Sequence, residues 1–187
     1  MKSMTSTKVQ VDIRNFELED IKEWILSVGE PKFRAKQIFE WLWKKRAVSF
    51  DEMTNLSHAL REKLAEHFII RPIVLDIYQK SSDGTIKCRF VLHDGFKIES
   101  VLIPVEKDNR YTVCVSSQVG CSLSCKFCAT GQMKRMRNLD AGEIYDQYVL
   151  INEICQETYD HPLTNVVYMG MGEPLLNYKN TMRSIEL

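Results

Sequence analysis

Three of the six cysteines in the chain fall within eight residues, in Cys121-Ser122-Leu123-Ser124-Cys125-Lys126-Phe127-Cys128. Thiolates are soft ligands that suit zinc and iron–sulfur clusters. A structural zinc takes four ligands in a tetrahedron, and an iron–sulfur cluster usually takes four cysteines. Three from one loop leave a position open, which on iron is available to a substrate or cofactor. The alternatives are a zinc ion completed by a distant His or Cys, buried free thiols, and disulfides. The opening stretch, Met1 to Glu17, lacks the apolar core of a secretory signal. A cytoplasmic, reducing setting is therefore expected, where disulfides are rare. The longest apolar runs, such as Val101-Leu102-Ile103, fall far short of the roughly 20 residues a membrane helix needs.

Other positions that could do chemistry are more weakly marked. Met169-Gly170-Met171-Gly172-Glu173-Pro174 follows a β-branched run. Its glycines let backbone approach a ligand, and Glu173 can accept hydrogen bonds from an ammonium group. Alone, Gly-Glu-Pro is a common turn. Glu99 is either an outward strand carboxylate or, if wrapped by its apolar neighbours, a base of raised pKa. Cys114 alone reads as a buried strand thiol. Lys32, Arg34, Lys36, Lys44, Lys45 and Arg46 face the single acid Glu40, and Lys126, Lys134, Arg135 and Arg137 face none. Such runs meet phosphates or simply face water. Lys plus Arg and Asp plus Glu both number 25. That balance excludes a global basic field, so any nucleic-acid site is local. The four histidines have no evident partner.

The elements that must position these residues follow from length and periodicity. A chain of 187 residues, 44% hydrophobic and 27% charged, suits one folded domain with a small appendage. Leu18, Ile21, Trp24, Ile25 and Val28 mark one helix face, with Gly29 as its stop. Pro31 to Arg46 predicts a second helix carrying Phe33, Ile38, Phe39, Trp41, Leu42 and Trp43. Ser57 to Phe68 predicts a third. Short β-rich runs follow at 74–79, 86–92 and 96–104, divided by Asp83-Gly84 and Asp94-Gly95, which are hairpin signals. Tyr111 to Ser116 predicts a strand, 118–138 a loop, and Asp140 with Glu143 a capped helix start. That helix carries Ile144, Tyr148, Ile151 and Cys155 on one face. Asn165 to Met169 predicts the next strand. Strand, loop, helix, strand is a βαβ unit and implies a parallel pair. The division expected is a loose 1–13, a helical domain at 14–72, a β-hairpin connector at 73–110 and an α/β core at 111–187.

Cys121-x3-Cys125-x2-Cys128 with Phe127, together with Met169 to Pro174, resembles the signature set of the radical S-adenosylmethionine (SAM) superfamily. The longer string Cys114-Val115-Ser116-Ser117-Gln118-Val119-Gly120-Cys121 is narrower and resembles the RlmN/Cfr family of RNA adenine methyltransferases. Gly29 to Gln37 resembles that family's amino-terminal accessory domain. The resemblance implies an α/β fold: a partial β/α barrel preceded by a small helical RNA-binding domain and β-hairpins. It implies a [4Fe-4S] cluster on Cys121, Cys125 and Cys128, and SAM held by Gly172 and Glu173. Glu99 would be the proton acceptor. Cys114 would resolve, by a disulfide, a covalent RNA adduct on a methyl-carrying cysteine. The reaction implied is methylation of C2 of adenine in 23S ribosomal RNA, with transfer RNA as a further substrate. That carbon is electron-poor, so a radical route carried by cofactors replaces polar methyl transfer. A monomer served by an electron-donor protein such as flavodoxin, with no membrane, completes the implied picture. A Cfr-like enzyme acting at C8 is the nearest rival; a zinc-binding RNA-interaction module without activity is the rival of another class. One departure stands out: no cysteine follows Cys155 to serve as methyl carrier. The sequence therefore reads as incomplete and is expected to be inactive by itself.

Overall fold

Asp20 accepts the Glu17 N–H at 2.8 Å and so starts α1 (Leu18–Ser27). Gly29, at φ +79°, ends it in a conformation that costs other residues strain. The computed structural model describes residues 10–187. They form two units, one running to Arg71 and one from Pro72 to Leu187. In the first, α1 is followed by α2 (Phe33–Trp43) and α3 (His58–His67), the latter capped by the Ser57 hydroxyl, which accepts the Leu60 N–H at 3.3 Å. Ile21, Ile25, Ile38, Leu42, Leu60 and Leu64 are buried between them. The second helix is shorter than its periodicity predicts: it stops at Trp43, and Phe33 at its start is 52% exposed rather than in the core.

The stretch expected to be loose is partly held. Residues 1–9 lie outside the described residues, but β1 (Val11–Asp12) pairs in parallel with β2 (Phe68–Ile69), and Ile13 is fully buried. The Asp12 carboxylate accepts the backbone N–H groups of Arg14 at 2.9 Å and Arg71 at 3.2 Å. This long-range tie has no periodic signature and was invisible in the sequence.

The second unit is built on a five-stranded sheet of order β3-β4-β5-β6-β9. The strands are β3 (Val74–Lys80), β4 (Ile86–Val91), β5 (Lys97–Val105), β6 (Arg110–Cys114) and β9 (Asn165–Val167). Neighbours are antiparallel except β6 and β9, which are parallel and joined through α4 (Ala141–Tyr159). The predicted connector hairpins and the predicted core strands thus share one sheet. Alternation fixes its two faces. Ile86, Cys88, Phe90, Ile98, Leu102 and Val113 point to the α4 side and are buried. Lys87, Arg89, Lys97, Glu99, Val101, Thr112 and Cys114 point to the other, more open side. Among the described residues no helix is long and apolar enough to cross a membrane.

Candidate active site

The carboxyl ends of β6 and β9 lie side by side, and that is where open α/β sheets place ligands. Their ladder continues past the strands. Gly170 N–H donates to the Val115 carbonyl at 3.0 Å, and the N–H groups of Ser117 and Gln118 donate to the Met171 carbonyl at 2.9 and 3.1 Å. Gly170 fits because a Cβ there would stand 2.7 Å from the Val115 oxygen. The run into Gly172-Glu173 is therefore fixed against the start of the cysteine loop. Glu173 accepts the Leu175 N–H at 3.0 Å on one carboxylate oxygen, capping the turn Pro174–Asn177. Helix α5 (Tyr178–Glu186) follows.

Two short strands, β7 (Gln118–Val119) and β8 (Arg137–Asn138), close the base of the cysteine loop. Gly120, at φ +72°, passes so near the Lys134 carbonyl that a Cβ would sit 2.2 Å from its oxygen. Beyond the base the loop winds through successive tight turns, Cys128 N–H to the Cys125 carbonyl and Gly131 N–H to the Cys128 carbonyl, each 3.1 Å. Cys121 and Cys128 are half-buried, Cys125 is exposed, and Phe127 is 95% exposed. The loop brings the three cysteines into one segment but does not draw their thiols together. Among the described residues no group of three His, Cys, Asp or Glu side chains is gathered tightly enough to hold a metal. The donor set nevertheless fits an iron–sulfur cluster: three soft, accessible thiols, with the Leu123 N–H at 3.4 Å from the Cys121 sulfur.

Glu99 and Cys114 share the open face. Val101 stands opposite Cys114, which puts Glu99 on the diagonal, roughly 7–8 Å away by sheet geometry. The premise that apolar neighbours wrap Glu99 does not hold. Its side chain is 44% exposed and pairs with Lys87 at 2.8 Å, because Lys87 projects from β4 to the same face. Cys114 is half-buried, and burial pushes its thiol up, against a hydrogen bond from the Met169 backbone.

Sequence reading missed the residues that join these pieces. Gln147 on α4 is fully buried; its side-chain oxygen accepts the Ser100 hydroxyl at 2.6 Å and the Ser116 N–H at 2.8 Å. The Ser116 hydroxyl donates to the Glu99 carbonyl at 2.5 Å and accepts the Met171 N–H at 2.9 Å. Asn177 donates to the carbonyls of Ser117 and Leu139, both at 2.8 Å. The available signal was a polar residue three positions after Ile144, on an otherwise apolar helix face.

Arg137, counted with a basic run in the sequence, is not free to meet phosphate. It grips buried Glu143 with two hydrogen bonds of 2.7 and 2.8 Å and reaches Asp94 at 2.5 Å. Arg137→Met is expected to leave Glu143 buried without its cation, at a cost of about 3 kcal/mol, which lowers Tm by roughly 10 °C. Burial raises the Asp94 carboxyl, but Arg137 overcomes this and holds it below the ordinary range. A carboxyl depressed in the folded state adds stability above its unfolded pKa. That stability is lost as pH falls through the folded value, so wild-type protein should soften below about pH 4. Arg137→Met should lose less stability over the same acid range. Thermal melts of both proteins from neutral to acid pH test the pair.

Comparison with known proteins finds relatives along nearly all of the chain. Residues 11–70 match the family model described as the ribosomal RNA large subunit methyltransferase N-terminal domain. A probable dual-specificity RNA methyltransferase RlmN of Cytophaga hutchinsonii is 54% identical over 97% of this chain and 50% of its own length. One from Bacillus subtilis is 44% identical over 100% of this chain and 53% of its own. A solved radical SAM methyltransferase from Sphaerobacter thermophilus superposes with a TM-score of 0.77 at 42% identity, over 94% of this chain and 51% of that one. The chain thus spans about half the length of the relatives it matches. With a matched amino-terminal domain and this likeness running along nearly all of its residues, the chain is similar to RlmN-type RNA methyltransferases and to a radical SAM methyltransferase over about half of their length.

Proposed function

We propose that these residues carry the cluster-binding and base-bearing part of an enzyme that methylates C2 of adenine in 23S ribosomal RNA, with transfer RNA as a second substrate. What supports the reading is one juxtaposition. The three-cysteine loop and the Gly172-Glu173 turn leave neighbouring parallel strands at the same end, while Glu99 and Cys114 share the open face of that sheet. In this reading Cys121, Cys125 and Cys128 hold the [4Fe-4S] cluster, and Gly172 and Glu173 take the amino-acid end of SAM. A cluster held there would supply, with SAM, one-electron bond cleavage. Glu99 accepts the proton that adenine C2 must lose. Cys114, having given up its proton, attacks the sulfur that bears the RNA adduct: the sulfur–sulfur bond forms as the sulfur–carbon bond breaks, and the released carbon takes up a proton to become the methyl group of the product. The carrier sulfur belongs to a cysteine other than the six here: three are ligands, Cys88 and Cys155 are buried, and Cys114 is the resolving thiol. Residues 1–187 alone are accordingly inactive in methylation. A flavodoxin-like donor and a monomeric, cytoplasmic enzyme complete the proposal. The helical domain ahead of the core favours the C2 enzyme over its C8 relative.

The test is anaerobic reconstitution of the chain with iron and sulfide. Roughly four irons per chain with brown absorbance is the expected result. A colourless protein holding one zinc would instead establish the RNA-interaction module without enzymatic chemistry.

A further inference from the structure

Gln118 is fully buried three residues before the first cluster cysteine, yet it is polar, and its backbone N–H and both ends of its amide are hydrogen-bonded. Its backbone N–H donates to the Met171 carbonyl at 3.1 Å. Its side-chain oxygen accepts the Glu173 N–H at 3.0 Å. Its side-chain nitrogen donates to the Asn138 oxygen at 2.7 Å, and Asn138 in turn donates to the Leu176 carbonyl at 3.3 Å. Gly172, at φ +94°, lies flush on this side chain: a Cβ there would stand 2.5 Å from Gln118 Cβ. One side chain thus touches the base of the cysteine loop, the glycine and the backbone of the glutamate.

We propose that Gln118 is a positioning residue that sets the spacing between the cluster and the amino-acid end of SAM. The proposal rests on the assignment of Cys121 and of Gly172 and Glu173 in the preceding section. The physical argument is one of tolerance. A ligand that bridges two loops needs both within a few tenths of an ångström. The backbone ladder holds the two runs together only as far as Met171, and β7 and β8 contribute only two residues each, so beyond them it is the Gln118 side chain that reaches the Glu173 backbone. A buried amide is costly unless satisfied, and this one is satisfied only while both loops keep their places. A hydrophobic residue of the same volume would fill the space without enforcing that register.

The experiment compares wild type with Gln118→Met, which keeps volume and loses both side-chain hydrogen bonds, and Gln118→Asn, which keeps the amide and loses its reach. Three readouts are taken: iron content after reconstitution, SAM affinity from the change SAM makes in the reduced cluster's electron paramagnetic resonance signal, and hydrogen exchange at the Glu173 amide without iron. Both variants should load iron like wild type, bind SAM at least tenfold more weakly and exchange the Glu173 amide at least tenfold faster. Unchanged SAM affinity in either folded variant overturns the proposal. If wild type loads no iron or binds no SAM, the radical SAM reading fails on its own. The strut is then judged by exchange, and an unchanged Glu173 amide refutes it. Gln118→Asn keeps the test decisive should Gln118→Met not fold.

Discussion

Replacing any one of Cys121, Cys125 or Cys128 with Ala is expected to remove iron binding from the reconstituted chain, with loss of its visible absorbance. A cluster held by three thiolates has no spare protein ligand, and losing one leaves a second iron open to solvent. The same substitutions should barely move the melting temperature. None of the three side chains lies in the core, and changes at such positions usually stay within about 0.5 kcal/mol. Cys88→Ala and Cys155→Ala should behave in the opposite way. Both thiols are fully buried against the sheet, and burial pushes Cys88 up to about 11, far from a thiolate ligand at neutral pH. Their loss should lower stability by about 1 kcal/mol and leave the iron in place. A full iron complement in a Cys125→Ala chain would remove that residue from the ligand set. An equal loss of iron from Cys88→Ala would mean that iron content follows folding rather than ligation.

Local patterns were legible in the sequence where one residue type answers one physical demand. The β-rich runs at 86–92 and 96–104, the capping pair Asp140 and Glu143, and Gly29 as a helix stop all reappear in the structure. The Gly-Glu-Pro turn could be read for the same reason, whereas the cysteine spacing stands as a pattern whose thiols are not gathered at one point among the described residues. What could not be read depends on partners distant in the chain. Lys87 reaches Glu99 because β4 and β5 pair in a particular register, and no pattern around Glu99 announces that. Gln147, Ser116 and Asn177 look like ordinary polar residues until the strand ends they tie are brought together. Arg137 was misread for the opposite reason: its neighbours in sequence are basic, but its neighbours in space are Asp94 and Glu143.

Glu99→Gln is expected to slow methylation, in an enzyme that carries these residues together with a methyl-carrying cysteine, by about 100- to 10,000-fold, the range over which a positioned general base contributes. The amide keeps the shape of the carboxylate and can still accept a hydrogen bond from Lys87, but it cannot take up a proton. The lost ion pair matters little for folding. Both side chains are about half exposed, and exposed pairs contribute about 0–1 kcal/mol. Any large loss of rate is therefore chemical. SAM cleavage should continue at the wild-type rate, because the variant leaves the cysteine loop and the Gly172-Glu173 turn untouched. The block should fall at the loss of the adenine C2 proton. Lys87→Met makes the complementary comparison: it removes the cation and leaves a carboxylate able to accept the proton, so its rate loss should be the smaller of the two. Wild-type methylation by Glu99→Gln would reduce Glu99 to Lys87's partner on the sheet surface, and the proton acceptor would have to be sought elsewhere on the open face that carries Cys114.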